Sequence, residues 1–515
     1  MKTVTLAALV LLGGLFPAAC TGGREAGRGI AGTITLPEAG SPFIAFDIWV
    51  KVGSQNDPAG KEGLAALTAR LLADGSTRTD RYQQILEKLY PMAASYGASV
   101  DKEMTVFRGV VHRDNLEPYY TLLRNALLEP AFSEEDFARV KAQVMNYLER
   151  GRRFQRDEEL SKELLYWMAY RGTAYEHPEE GYVKSVESIT LDDVKDFYRK
   201  FYLRNNIVVG VGGGYPDGFV ARVRRDFDAL PEGEVAPVAA PHPKMTDGVK
   251  VLIVEKQTDA TAISMGFPIP LLRSDSDYVA MMLVNSWFGE HRNSFSHLYQ
   301  VIRERRGMNY GDYSYIEPFP RGYTTQERPV NYDRRSNLFE IWIRPVSRMS
   351  ADDLHDRALF ATRAAWRELK KVVDEGLPPD QVERTRRFLH NFSVTYGSTV
   401  LRRLAYRIDD AFYAMPDPGY LGMIRPELAK LTPEKVKAAI DRNLQADDMW
   451  VVYITADAEG MKKKLLSGAP TYIRYAGKPP AEIRAEDDEI AHLPIPVGED
   501  DIRIMDISEV FETGS

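Results

Sequence analysis

The sequence predicts an α+β protein built as two homologous halves, each a mostly antiparallel sheet with helices on one face. Three observations carry this. Strand-period and helix-period segments occur in mixed order, a proline-rich stretch divides the chain near its middle, and short segments recur on either side of it. With 515 residues the chain is too long for one core, so two units of ordinary size fit it.

The elements follow in chain order. Ile44 to Val52 alternates as a half-buried strand, and Gly63 to Asp74 carries helical spacing that stops at Gly75. Met104 to Val111 is a second strand, followed by helical stretches from Leu116 to Leu128 and from Glu134 to about Glu149. From Leu230 to Gly248 four prolines and no periodicity mark a stiff linker. Thr190-Leu-Asp-Asp-Val-Lys195 before it recurs as Thr432-Pro-Glu-Lys-Val-Lys437 after it, and Asn205-Asn206 before an apolar strand recurs as Asp447-Asp448 at the same offset. Each threonine suits a helix N-cap, Pro433 suits the first helical position, and the paired Asn or Asp residues suit a turn. Ser133 to Arg139 likewise matches Pro378 to Arg384. The expected division is a leader over 1–23, one half over 30–229, the linker over 230–248, a second half over 249–467 and an acidic extended tail over 468–515.

Hydrophobic residues make up 44% and charged residues 27% of the chain, a globular balance, and a net charge of −8 leaves no basic field for nucleic acid. One early lysine, an apolar run from Val4 to Phe16 and small residues after it read as a signal peptide, so export is expected. Cys20, the only cysteine, follows Ala18 and Ala19 where a bacterial lipoprotein is lipidated, although Pro17 departs from that pattern. In a cell with two membranes the expected location is the periplasm or outer membrane. No disulfide can form within the chain.

The stretch Gly63-Leu-Ala-Ala66-Leu-Thr-Ala69-Arg70-Leu-Leu-Ala-Asp74-Gly-Ser76 resembles the first active-site helix of the pitrilysin/insulinase family of zinc peptidases, where H-x-x-E-H holds the metal. The three positions of that motif are here Ala66, Ala69 and Arg70. A methyl group has no lone pair to give, and a guanidinium repels a divalent cation. The family's third ligand aligns with Asn146 or Tyr147, and Glu149, half a turn away, is the nearest carboxylate. Of the eight histidines, His177 and His291 follow glutamates, but Thr173 and Trp287 stand where the motif needs a second histidine. His291 and His297 read as surface or packing residues. No metal ligand set and no serine or cysteine nucleophile emerges.

The segment Leu298 to Gly311 resembles the part of the family's second half that carries a paired arginine and tyrosine, and Arg303 and Tyr310 match it. The resemblance implies that this pair binds substrate backbone and stabilises a tetrahedral intermediate across the cleft from zinc. The plainer reading pairs Arg303 with Glu304 or Asp312 and places Tyr310, Tyr313 and Tyr315 along a strand. The resemblance covers roughly Gly32 to Gly468 and implies a clam-shaped pair of halves like that of processing peptidases. It further implies a non-catalytic subunit with no cofactor of its own, whose zinc-bearing partner completes a heterodimer that takes in peptides or small unfolded proteins. A zinc-free assembly or peptide-binding scaffold is the alternative.

Overall fold

The computed structural model describes residues 32–319, 326–346, 351–475 and 477–514, with the side chains of 310, 351 and 352 excepted. The leader and Cys20 lie outside the described residues. Two sheets organise the rest. The first contains β1 (Gly32–Pro37), β2 (Phe43–Val50), β3 (Ser95–Val100), β4 (Thr105–His112) and β5 (Ile207–Gly213), in the order β1-β5-β2-β4-β3. The second contains β6 (Val249–Glu255), β7 (Ala262–Ile269), β8 (Asn309–Tyr315), β9 (Asn337–Pro345), β10 (Met449–Thr455) and β11 (Ile502–Asp506), in the order β11-β6-β10-β7-β9-β8. Strands β6 to β10 repeat the order of β1 to β5. Within each set only the first and last strands run parallel, so both sheets are mostly antiparallel.

The repeated segments do the same local work twice. Thr190 Oγ1 accepts from the Asp193 amide at 3.2 Å and Thr432 Oγ1 from the Lys435 amide at 3.4 Å, starting helices Leu191–Phe201 and Pro433–Asn443. Ser133 caps Glu134–Asn146 in the same way. That last helix does not continue to Glu149 as an α-helix. It widens into a π-helical segment, Tyr147–Gln155, of a kind often found at functional sites.

Each sheet packs one face on helices of its own half, and the other face receives a helix from the opposite half. Asp157–Ala169 lies on the second sheet, where Leu160, Leu164 and Leu165 meet Leu252, Val254 and Val452. Val400–Phe412 lies on the first sheet, where Ile408 and Phe412 meet Trp49, Val106 and Val208. This exchange corrects the expectation of a half-buried first strand. Ile44, Phe46, Ile48 and Val50 point into the first half's core, while Ala45, Asp47 and Trp49 are covered by the visiting helix.

That helix comes close because Gly210 and Gly212 lie opposite Asp47 and Ala45 in the sheet. A Cβ on Gly210 would sit 2.6 Å from the Asp47 carbonyl oxygen and 3.3 Å from the Leu404 and Ile408 methyls. Gly210→Val is therefore expected to lower stability by about 1–3 kcal/mol, read as a shift in the urea midpoint; an unchanged midpoint would show that the helix stands further off.

Asp47 is fully buried under the same helix, with neither carboxylate oxygen hydrogen-bonded and Arg108 Nε 3.6 Å away. Burial, partly opposed by Arg108 and reinforced by Asp409, pushes it up to about 7. A carboxyl whose folded-state value is raised contributes stability that is whole below the unfolded value near 4 and disappears as pH climbs to about 7. The stability difference between Asp47→Asn and the natural chain should be flat below pH 4 and grow in favour of asparagine between pH 4 and 7. Parallel pH curves in chemical denaturation would refute this.

The segment after Gly468 is not an extended tail. Ala481–His492 is a helix that buries Ile483, Asp487 and Ile490, and its acidic residues meet a buried cation: Arg306 donates to Glu486 and to Asp487, each at 2.8 Å. Strand β11 then adds in parallel to β6. Beyond it Val510 and Phe511 are buried, and Arg153 of the π-helical segment donates to the Val510 carbonyl at 2.9 Å. The linker lies along both halves, with Arg335 donating to the Val238 carbonyl.

Candidate functional site

A cleft of about 950 Å³ opens between the halves. One wall is helix Leu64–Ala73, which begins at Gly63 with φ of 100°. A side chain there would be strained and would strike the Glu180 carbonyl oxygen at 2.4 Å. Asp57 holds the helix start by accepting from the amides of Gly63 and Ala65, both at 2.7 Å. So placed, Ala66, Ala69 and Arg70 all line the cleft, beside Ala98, Ser99 and Val100 of the sheet-edge strand β3.

Tyr147, which stands where the third ligand aligns, also lines the cleft. Asn146 is exposed, and Glu149 is exposed on a separate outer groove with Glu134 and Phe137. The carboxylate nearest in sequence is thus aimed elsewhere. Two methyls, a guanidinium and a phenol do not fit zinc, which needs nitrogen, sulfur or carboxylate donors. Among the described residues no three His, Cys, Asp or Glu side chains group to hold a metal ion.

The histidines have other neighbours. His177 is buried 4.0 Å from Asp57, and burial and Lys102 push it down to about 4. His291 lines the cleft with Nδ1 3.0 Å from the Tyr315 hydroxyl and its ring 4.3 Å from Phe319. His297 stacks on Trp287 at 4.3 Å and meets Glu368 at 2.6 Å. The Glu290 carboxyl is buried and shifted upward by that burial.

From the other half, Arg303 reaches the cleft off a π-helical turn, Tyr299–Glu304, with its guanidinium 4.7 Å from the Tyr299 ring. Its charge opposes the burial that pushes Asp312 up to about 8. The Tyr310 backbone belongs to β8, and its side chain lies outside the described residues. Gly311 and Tyr313 of the same strand line the cleft, with Tyr313 stacked on Trp342 at 5.6 Å. Strand and cleft are therefore both served by this segment.

Sequence reading missed the ionic floor of the cleft. Asp101, Lys102 and Glu103, three consecutive charged residues just before β4, are all buried. Lys102 donates to the His177 carbonyl and lies 3.0 Å from Glu179. Arg334 of the second half grips Asp101 with two nitrogens and Glu179 at 3.1 Å, and Arg335 grips Glu103. The charged triplet and the Arg334-Arg335 pair were visible, but nothing local showed that they meet.

Two sheets that exchange helices around a cleft, with a metal helix emptied of ligands, define a non-catalytic relative of a two-domain metallopeptidase. Residues 33–181 match the model for insulinase (peptidase family M16), and residues 188–389 match the model for the peptidase M16 inactive domain. The chain is 25% identical over 419 residues to an uncharacterized zinc protease of Streptomyces coelicolor, covering 79% of this chain and 83% of that one. It is 25% identical over 276 residues to a protein of Helicobacter pylori described as a non-peptidase homolog, covering 51% of this chain and 60% of the other. The solved peptidase M16 inactive domain from Pseudomonas fluorescens superposes with a TM-score of 0.70 at 23% identity, over 82% of this chain and 95% of that one. The chain belongs to the pitrilysin/insulinase family, peptidase family M16, as a non-catalytic member.

Proposed function

We propose that this chain is the substrate-binding, non-catalytic subunit of an exported heteromeric zinc metallopeptidase, supplying Arg303 and Tyr310 to a zinc-bearing partner of the same family. The observation that carries the reading is selective: Arg303 faces the cleft, while the metal positions on the opposite wall are Ala66, Ala69 and Arg70. A guanidinium and a phenol donate to carbonyl oxygens and to a developing oxyanion, which is useful only where another chain brings the zinc-bound water. The exposed side of edge strand β3 suits an extended peptide.

The test is reconstitution. Mixing the purified chain with a family member that carries H-x-x-E-H should produce a complex of summed mass and raise hydrolysis of a quenched fluorescent peptide. Unchanged mass and activity would refute the reading. The non-peptidase description of the H. pylori relative favours a second reading, a zinc-free assembly or peptide-binding scaffold. Under it Arg303→Ala and Tyr310→Phe leave function untouched.

A further inference from the structure

We propose that Arg70 makes the cleft a carboxylate-binding site, so that the peptides it retains are those presenting a carboxylate, either an acidic side chain or a free C-terminus, to the wall where the family's metal helix lies. This names the ligand chemistry of the cleft and rests on the reading that the cleft receives peptides.

Asp101 and Glu179 share Arg334, and Glu179 and Glu163 lie 3.0 and 3.9 Å from Lys102. Glu180 is paired with Arg152. Glu158 holds Lys162 at 2.7 Å and Glu159 meets Arg156 at 3.3 Å. Glu340, pushed up to about 7 by burial, accepts from the Ser264 hydroxyl at 3.2 Å. The acidic groups of the cleft thus have partners within the chain.

Arg70 is different. It is half-buried, lines the cleft, and among the described residues makes no hydrogen bond and has no carboxylate within ion-pair distance. Asp74, one turn on, feels its charge, but burial shifts that carboxyl upward and the charge of Arg139 acts on it as well. Five N–H donors in a partly desolvated cleft leave free energy to be gained from an acceptor, and the planar fork matches a carboxylate with two parallel bonds. The flanking residues leave room: Ala66, one turn before Arg70 on the same helix face, and Ala69, its neighbour in sequence, both line the cleft and end at methyl groups. A second guanidinium, Arg303, borders the same cleft.

The test uses the full chain and three fluorescein-labelled ten-residue peptides of one sequence: a free C-terminal acid without acidic side chains, its C-terminal amide, and the amide with one internal glutamate. Fluorescence anisotropy should show the plain amide binding at least tenfold more weakly than one of the other two, and the tighter of these identifies the source of the carboxylate. Arg70→Met should remove the difference, and Arg70→Lys should restore part of it. If all three peptides bind alike, or if Arg70→Met keeps the preference, the carboxylate assignment falls while the peptide-binding reading stands. If no peptide binds the natural chain, both fall.

Discussion

Arg303→Ala in the reconstituted complex should lower kcat/KM for a peptide by about 10²–10³-fold, the scale on which a lost oxyanion donor is felt. The guanidinium is set into the cleft by local structure and not by a flexible loop. The Tyr299–Glu304 turn is closed by the Gly307 amide donating to the Arg303 carbonyl at 2.7 Å, and the Tyr299 ring lies 4.7 Å from the charge. Val301 and Ile302, on either side of that turn's inner face, are buried in the second half's core. Truncation should therefore leave fold and subunit association intact. Arg303→Lys should recover little, because an ammonium cannot present the two-nitrogen fork. The measurement is steady-state hydrolysis with the partner in excess, alongside gel filtration of the mixture. Turnover at the natural rate in Arg303→Ala would remove this residue from the reaction.

Arg334→Ala should cost about 3–5 kcal/mol of stability, because it removes the cation from carboxylates that stay buried. Asp101 loses both of its guanidinium bonds, and Glu179 loses its guanidinium partner while Lys102 stays 3.0 Å away. Arg334 also lies 5.0 Å from the Tyr166 ring on the visiting helix, so the loss falls between the halves. Asp101→Asn in the same chain should return part of the stability by removing the stranded charge. Urea titrations of the single and double variants measure both effects. A single variant within about 0.5 kcal/mol of the natural chain would place this cluster with ordinary surface ion pairs.

Much of the architecture was legible in the sequence because it rests on local rules. Thr190 and Thr432 cap helices, the helix Leu116–Leu128 has the predicted bounds, and the Gly63 start of the cleft helix needs a residue tolerant of positive φ. Illegible were the features made by distant partners. The run Ala485-Glu-Asp-Asp-Glu489 looks solvated until Arg306 is brought beneath it, and alternation in β2 cannot show that Trp49 and Asp47 have a helix over them. For the site, position was legible and company was not. Motif spacing alone points to Arg303 and Arg70, whereas the partners that neutralise the neighbouring carboxylates, and among the described residues leave Arg70 without an ion pair, come from elements far apart in the chain.

The exchanged helices also order events in time. Synthesis runs from the N-terminus, and domains generally begin to fold as they emerge. The first sheet has all its strands once Gly213 is made, yet Trp49, Val106 and Val208 on its second face wait for Ile408 and Phe412. Between those two moments more than a third of the protein has still to appear, and an apolar surface with a buried-to-be aspartate is open to any passing chain. Only when the helix Val400–Phe412 docks is the second face of the first sheet covered, so a nascent chain halted before that helix is expected to leave Trp49, Val106 and Val208 uncovered.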